Sequence, residues 1–196
     1  MKKTRKIGLA TTLFLSLAFI SRAQDAGAGT SKAGGSSPDK EWRISVGPET
    51  GIPTGTYSSA YSWFFGGSAQ LDIPVYKGLY ATVNGGYDNI LAKKGETNIN
   101  AQVIPVKAGL KYFVWNDLVY IQAQAGVTFL GNKTDLNADK SAAFTYTPGV
   151  GVLLRLAPKN YLDLGVRWEE TASFYNTGGG NSYGLVGLRI AYSFGL

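Results

Sequence analysis

The chain has no cysteine, no histidine and a single methionine. Without cysteine there is no disulfide framework, no thiolate nucleophile and no lipid-modified cysteine behind a leader. Without histidine, imidazole-dependent triads and most zinc sites are excluded as well. The carboxylates do not make up the loss. Asp163 and Glu169 lie on one strand face at a spacing of ~20 Å, given ~3.4 Å per residue, which is too far for a paired-carboxylate site. A non-enzymatic protein with no cofactor and no metal is expected.

Long apolar runs are also missing. The longest, "IGLATTLFLSLAFI" (7–20), falls short of the ~20 residues a helix needs to cross a bilayer. It follows Lys2, Lys3, Arg5 and Lys6 and ends at "SRA" before Gln24, which reads as a secretory signal peptide (1–23) cleaved after Ala23. Cleavage removes five of the 19 Lys and Arg and none of the 13 acids, leaving a mature net charge of +1. The basic balance therefore belongs to the leader, and no patch is left to argue for nucleic acid. Residues 24–41 are small, polar and aperiodic, as in a flexible periplasmic tether. Residues 42–196 suit one domain.

What that domain does have is alternation. In "YLDLGVRWEETASF" (161–174), Leu162, Leu164, Val166 and Trp168 interleave with Asp163, Gly165, Arg167 and Glu169. This is a strand with two unlike faces. Eight such segments are predicted: 42–53, 62–76, 79–91, 99–114, 118–130, 143–157, 161–172 and 182–194. Three connections are tight (77–78, 115–117, 158–160) and four are longer and polar (54–62, 92–98, 131–141, 173–181). Long and short alternate, as in an up-and-down transmembrane barrel with short periplasmic turns and long outer loops. The predicted fold is all-β, an eight-stranded antiparallel up-and-down transmembrane β-barrel.

One face of these segments is apolar; its one charge is Glu170, near a rim. The other carries Arg43, Glu49, Asp72, Asp88, Lys107, Lys111, Arg155, Asp163, Arg167, Glu169 and Arg189, six positive and five negative. Arg or Lys on the lipid side costs ~2–4 kcal/mol at the midplane, so lipid enforces this segregation. Ions packed into a narrow lumen must largely pair with each other, which the near balance allows.

Ten strand glycines (47, 51, 66, 86, 109, 126, 149, 151, 165, 187) share the charged face, where a crowded concave interior needs small residues. Aromatic residues gather at both sets of strand ends. Trp42, Tyr76, Tyr80, Tyr112, Trp115, Tyr120, Tyr161, Tyr192 and Phe194 form one set. Tyr61, Trp63, Phe129, Phe144, Trp168, Phe174 and Tyr183 form the other, and the two read as interfacial girdles. A soluble lipocalin-like barrel with an apolar lumen is the rival; it requires the faces reversed.

The segments "GPETGIPTGTY" (47–57), "IPVKAGLKYF" (104–113), "YIQAQAGV" (120–127), "FTYTPGVGV" (144–152) and "YGLVGLRIAYSF" (183–194) resemble small outer-membrane β-barrel proteins of Gram-negative bacteria, an OmpA-like or porin-like family. The resemblance covers the mature barrel. It implies a structural or surface-interaction role, a monomer in the outer membrane among lipid and lipopolysaccharide, and insertion by the barrel-assembly machinery. Members usually end on an aromatic residue; here Phe194 is followed by Gly195 and Leu196.

The sharpest candidate site is the charge set Glu49, Lys107, Arg167 and Arg189, halfway along its strands. OmpA-like barrels carry a similar cluster that acts as a gate, so a narrow or gated channel is the alternative to ions that only fill and stiffen the lumen. Asp135, Asn137 and Asp139 alternate in "GNKTDLNADKS" but lack the glycine and distal glutamate of a calcium loop.

Overall fold

The structure is a computed structural model describing residues 41–95, 99–176 and 182–196. The expected signal peptide lies outside these residues, as does the tether except for Glu41. Strands β1 (Arg43–Thr54), β2 (Tyr61–Tyr76), β3 (Leu79–Ala92), β4 (Ala101–Trp115), β5 (Val119–Leu130), β6 (Ala142–Ala157), β7 (Asn160–Thr171) and β8 (Tyr183–Gly195) follow the predicted segments closely. Each pairs antiparallel with its sequence neighbour, and β8 returns to β1, closing the barrel. Among the described residues, no helix is long and apolar enough to cross a membrane.

Local chemistry sets the tight turns. Asn116 and Asp117 both adopt positive φ (45° and 54°), the left-handed pair that a two-residue hairpin with matching twist requires. Gly78 supplies the same conformation (φ 71°) between β2 and β3. At the other end, the first long connection winds into one 3-10 turn, Gly55–Ser58, before β2 begins.

The exposed surface of the strands is apolar: Val46, Phe65, Val83, Val106, Leu110, Ile121, Phe144, Val150, Val166, Leu188 and Ile190 all point outward. Nine of the eleven predicted interior ions are buried: Arg43, Glu49, Asp72, Asp88, Lys107, Lys111, Asp163, Glu169 and Arg189. Arg167 is half-buried within the same network. The faces are the reverse of those in a soluble ligand-binding barrel.

Interior glycines lie opposite the largest inward side chains. Gly66 faces Asp88, Gly126 faces Lys107, Gly149 and Gly187 both face Arg167, and Gly165 faces Arg189. A long ion thus occupies volume that its cross-strand neighbour leaves vacant. The converse also holds: a Cβ at Gly109 or Gly126 would run into the backbone of β5 or β4, whereas one at outward-facing Gly85 would meet nothing within 4 Å.

Three mid-strand prolines interrupt the ladders. Pairing pauses at Pro48 between Val46↔Tyr192 and Glu49↔Arg189, at Pro105 between Gly85↔Val106 and Asp88↔Val103, and at Pro148 between Tyr146↔Glu170 and Gly149↔Arg167. Proline has no N–H to donate. At the first pause Arg189 of β8 spans the gap from inside, reaching Ser45 on one side of Pro48 and Glu49 on the other.

The glycine arrangement sets a stability contrast. Gly126→Val is expected to lose at least ~1–3 kcal/mol, the usual cost of overpacking, while Gly85→Ala stays close to wild type. Urea titration followed by heat-modifiable electrophoretic migration measures both. Equal losses would mean that the inward glycines are not packing residues.

Candidate functional site

From the turn end to the loop end, the lumen is filled in layers. The first is aromatic. Tyr80, Phe113, Tyr120, Leu153 and Tyr161 pack together, and the Arg43 guanidinium lies over the Tyr80, Phe113 and Tyr161 rings at 4.5–5.3 Å while donating to the Tyr80 hydroxyl at 2.7 Å. Cation–π contact of this kind stabilises a desolvated charge.

The second layer is ionic. Lys111 Nζ lies 2.7 Å from Asp72 and 3.4 Å from Asp163, above the Tyr120 ring, and the Tyr120 hydroxyl donates to Asp163 at 2.5 Å. Next comes an amide layer, in which Gln70 hydrogen-bonds to both Gln122 and Gln124 and Gln124 donates to Thr82. Beside it is a cavity of about 30 Å³ bordered by Asn84, Gly149, Gly165, Arg167 and Arg189.

The fourth layer holds the predicted cluster. Arg167 pairs closely with Glu49 and reaches Asp88 at 3.5 Å and Glu169 at 3.8 Å. Lys107 pairs closely with Glu169, to which Thr147 also donates. Arg189 bridges the two ionic layers, 3.3 Å from Glu49 and 3.4 Å from Asp163. All four residues of the candidate gate therefore belong to one connected set running from Asp72 to Lys107.

Arg155 does not join it. A register shift after Arg155 turns the end of β6. Its exposed guanidinium donates to the carbonyls of Ala157 (3.4 Å) and Pro158 (2.8 Å) at the turn. Without Arg155, the predicted interior ions balance at five acids and five bases.

The last layer is apolar. Phe64, Ile90, Val103 and Leu185, each at most 1 % exposed, fill the barrel beneath the long loops, with Tyr61, Tyr183, Leu130 and Phe174 around them. Six aromatics assigned to girdles are thus interior residues: Tyr80, Tyr120 and Tyr161 at the turn end, Tyr61, Phe174 and Tyr183 at the loop end. Strand parity accounts for most of this, since Tyr80 is in phase with Asp88, Tyr161 with Asp163 and Tyr183 with Arg189. At Tyr61 a register shift before Trp63 turns the ring inward. The remaining predicted girdle aromatics, including Trp42, Tyr112, Trp115, Tyr192, Trp63, Phe144 and Trp168, do face outward.

The Asp139 carboxylate accepts the Asn176 N–H at 2.7 Å, tying the third long loop to the fourth. Among the described residues, no group of three or more His, Cys, Asp or Glu is placed to hold a metal. Glu170, the one charge of the apolar face, accepts a hydrogen bond from Ser182 at the loop-end rim.

No protein-family model matches the chain, and no curated protein matches it in sequence. Solved structures do match its fold. The outer membrane protein OprG of Pseudomonas aeruginosa aligns over 80% of this chain and 96% of its own, with TM-score 0.51 and 9% identity. The outer membrane protein AlkL, determined in DMPC bilayers, aligns over 88% and 97%, with TM-score 0.51 and 15% identity. The attachment invasion locus protein Ail of Yersinia pestis aligns over 79% and 99%, with TM-score 0.48 and 13% identity. The fold is that of an outer-membrane β-barrel.

Removing one partner from such a network leaves opposite charges buried and uncompensated. Arg167→Ala takes from Asp88 its ion-pair partner and leaves Glu49 with Arg189 and Glu169 with Lys107, so a loss of ~3–5 kcal/mol is expected. Arg155→Ala removes only turn contacts at the surface, and a change within ~0.5 kcal/mol is expected. Denaturant unfolding of both variants in the same detergent checks the contrast; similar losses would remove Arg167 from its central place.

Proposed function

We propose that this protein is a non-enzymatic, monomeric outer-membrane barrel with a closed lumen, acting as a structural or surface-interaction element amid lipid and lipopolysaccharide after insertion by the assembly machinery. The observation that carries this reading is the stacking of an aromatic plug, a network of paired ions and an apolar plug along one narrow bore. Eight strands leave an interior just wide enough for side chains. Water-filled continuity would require charged and apolar layers to move together.

The OmpA-like affinity read from the sequence belongs to this proposal and rests on the quoted strand segments and the mid-lumen ion cluster. A gated channel is the second reading, favoured by the cavity beside Gln70, Asn84 and Gln124. The two readings part on conductance.

In planar bilayers the wild type is expected to stay at background current, and Arg167→Ala to destabilise the barrel without opening it. An ion-selective wild-type current that changes with Arg167 or Glu49 substitution would establish the gate instead, because the cation blocking a narrow water path had been altered. Topology is checked separately: tags inserted in 131–141 should be accessible on intact cells, and tags at 115–117 should not.

A further inference from the structure

The loop-end mouth contains a recess of about 30 Å³ with no charged residue in its lining. Ile90 and Val103 form its floor, on the apolar plug. Its walls are tyrosines: Tyr57 stacks on Tyr61 with centroids 6.2 Å apart and meets the Tyr183 ring edge-on at 5.3 Å. Leu136, Phe174 and Tyr175 close it from the third and fourth long loops.

Two features distinguish this recess from ordinary packing. Tyr183 is 4 % exposed, and its hydroxyl has no hydrogen-bond partner among the described residues. A buried O–H without an acceptor costs ~1–3 kcal/mol, which a ligand carrying an acceptor relieves. The recess also lies among long loops that are tied to one another by hydrogen bonds. Lys93 N–H donates to Ala60 O at 2.8 Å and Lys93 Nζ to Ser58 O at 2.7 Å, joining the first loop to the second. Lys140 N–H donates to Phe174 O at 2.9 Å and the Tyr175 hydroxyl to Leu136 O at 3.1 Å, joining the third to the fourth. Asn132 Nδ2 donates to Asn100 O at 2.7 Å, joining the second loop to the base of the third.

We propose that this recess is a binding site for an uncharged, ring-bearing small molecule that presents a hydrogen-bond acceptor to Tyr183 and stacks among Tyr57, Tyr61 and Phe174. Burial and the neighbouring Tyr175 hold the Tyr57 phenol above its ordinary range, so the wall stays neutral and disfavours an ionic ligand. As the loops stand, the space takes a water or two; a ring enters when the Phe174–Leu136 lid swings away. The ligand stops at the mouth, because Phe64 and Leu185 fill the bore below it. The site gives the surface-interaction reading a ligand class and rests on it only in that respect. The binding test reads the mouth and the conductance test reads the lumen, so either fails without the other.

Acetophenone, a neutral ring with a carbonyl acceptor, is the probe, titrated against the isotope-labelled mature barrel in lipid nanodiscs and followed by NMR. Saturable shifts are expected at Val103, Leu130, Leu136 and Tyr183. Toluene, which lacks the acceptor, and benzoate, which is charged, should bind more weakly. Tyr183→Phe should weaken acetophenone about fivefold, one hydrogen bond's worth, without affecting toluene. Leu136→Trp, placed in a loop so that the strands are untouched, should abolish binding by filling the recess while heat-modifiability persists. Absence of saturable shifts, shifts confined to lipid-facing residues, or shifts unchanged in Leu136→Trp would each overturn the site.

Discussion

Pairing of charge inside a narrow bore is the interaction on which the rest of this barrel depends. Lipid excludes ions from the outer face, so the charged strand residues away from the rims, all but Arg155 and Glu170, are driven inward. There, desolvating one ion costs several kcal/mol unless an opposite charge lies within reach. Arg189 shows how the demand is met: one guanidinium joins Glu49 and Asp163 from two different layers. It also holds β1 against β8 where Pro48 interrupts their ladder. The ion pairs therefore replace some of the backbone hydrogen bonds that a continuous strand would have made.

That solution creates a volume problem, and glycine solves it. A bore sized for side chains cannot hold Arg167 opposite another large residue, and its cross-strand neighbours on both sides are Gly149 and Gly187. The same pairing recurs at Lys107 with Gly126 and Arg189 with Gly165. Interior glycine would weaken a soluble sheet; here it is the condition for burying a long cation. Charge and glycine on one face are a single signal.

Period-two alternation and loop-length rhythm made the strands, their closure and the sidedness of the charges legible in the sequence. Both are direct consequences of lipid outside and a filled bore inside. The plugs were not legible in the same way. Phe64, Ile90, Val103 and Leu185 are inward residues set among apolar neighbours, so composition hides them and only strand phase separates them from lipid-facing ones. Tyr80, Tyr161 and Tyr183 were assigned to girdles because aromatics at strand ends usually face the interface. Their phase with Asp88, Asp163 and Arg189 was the available clue. Arg155 and Tyr61 lay beyond even that clue, since each sits at a register shift that strand parity does not see.

The layering bears on where function can reside. An ion network alone could rearrange around a water path, because charged side chains tolerate water. On the closed-barrel reading we propose, a bore capped at one end by Arg43 over three aromatic rings and at the other by Phe64, Ile90, Val103 and Leu185 must give up both caps before a wet route can form. Opening it would strip apolar burial and ionic pairing at once, and those are the two terms that hold the interior together. What remains free to vary without that cost is the loop end above the apolar plug, where hydrogen bonds tie the loops to one another and the tyrosine walls are packed but not braced by charge. On that proposed reading, the chemistry that keeps the barrel shut leaves the mouth as the place for recognition.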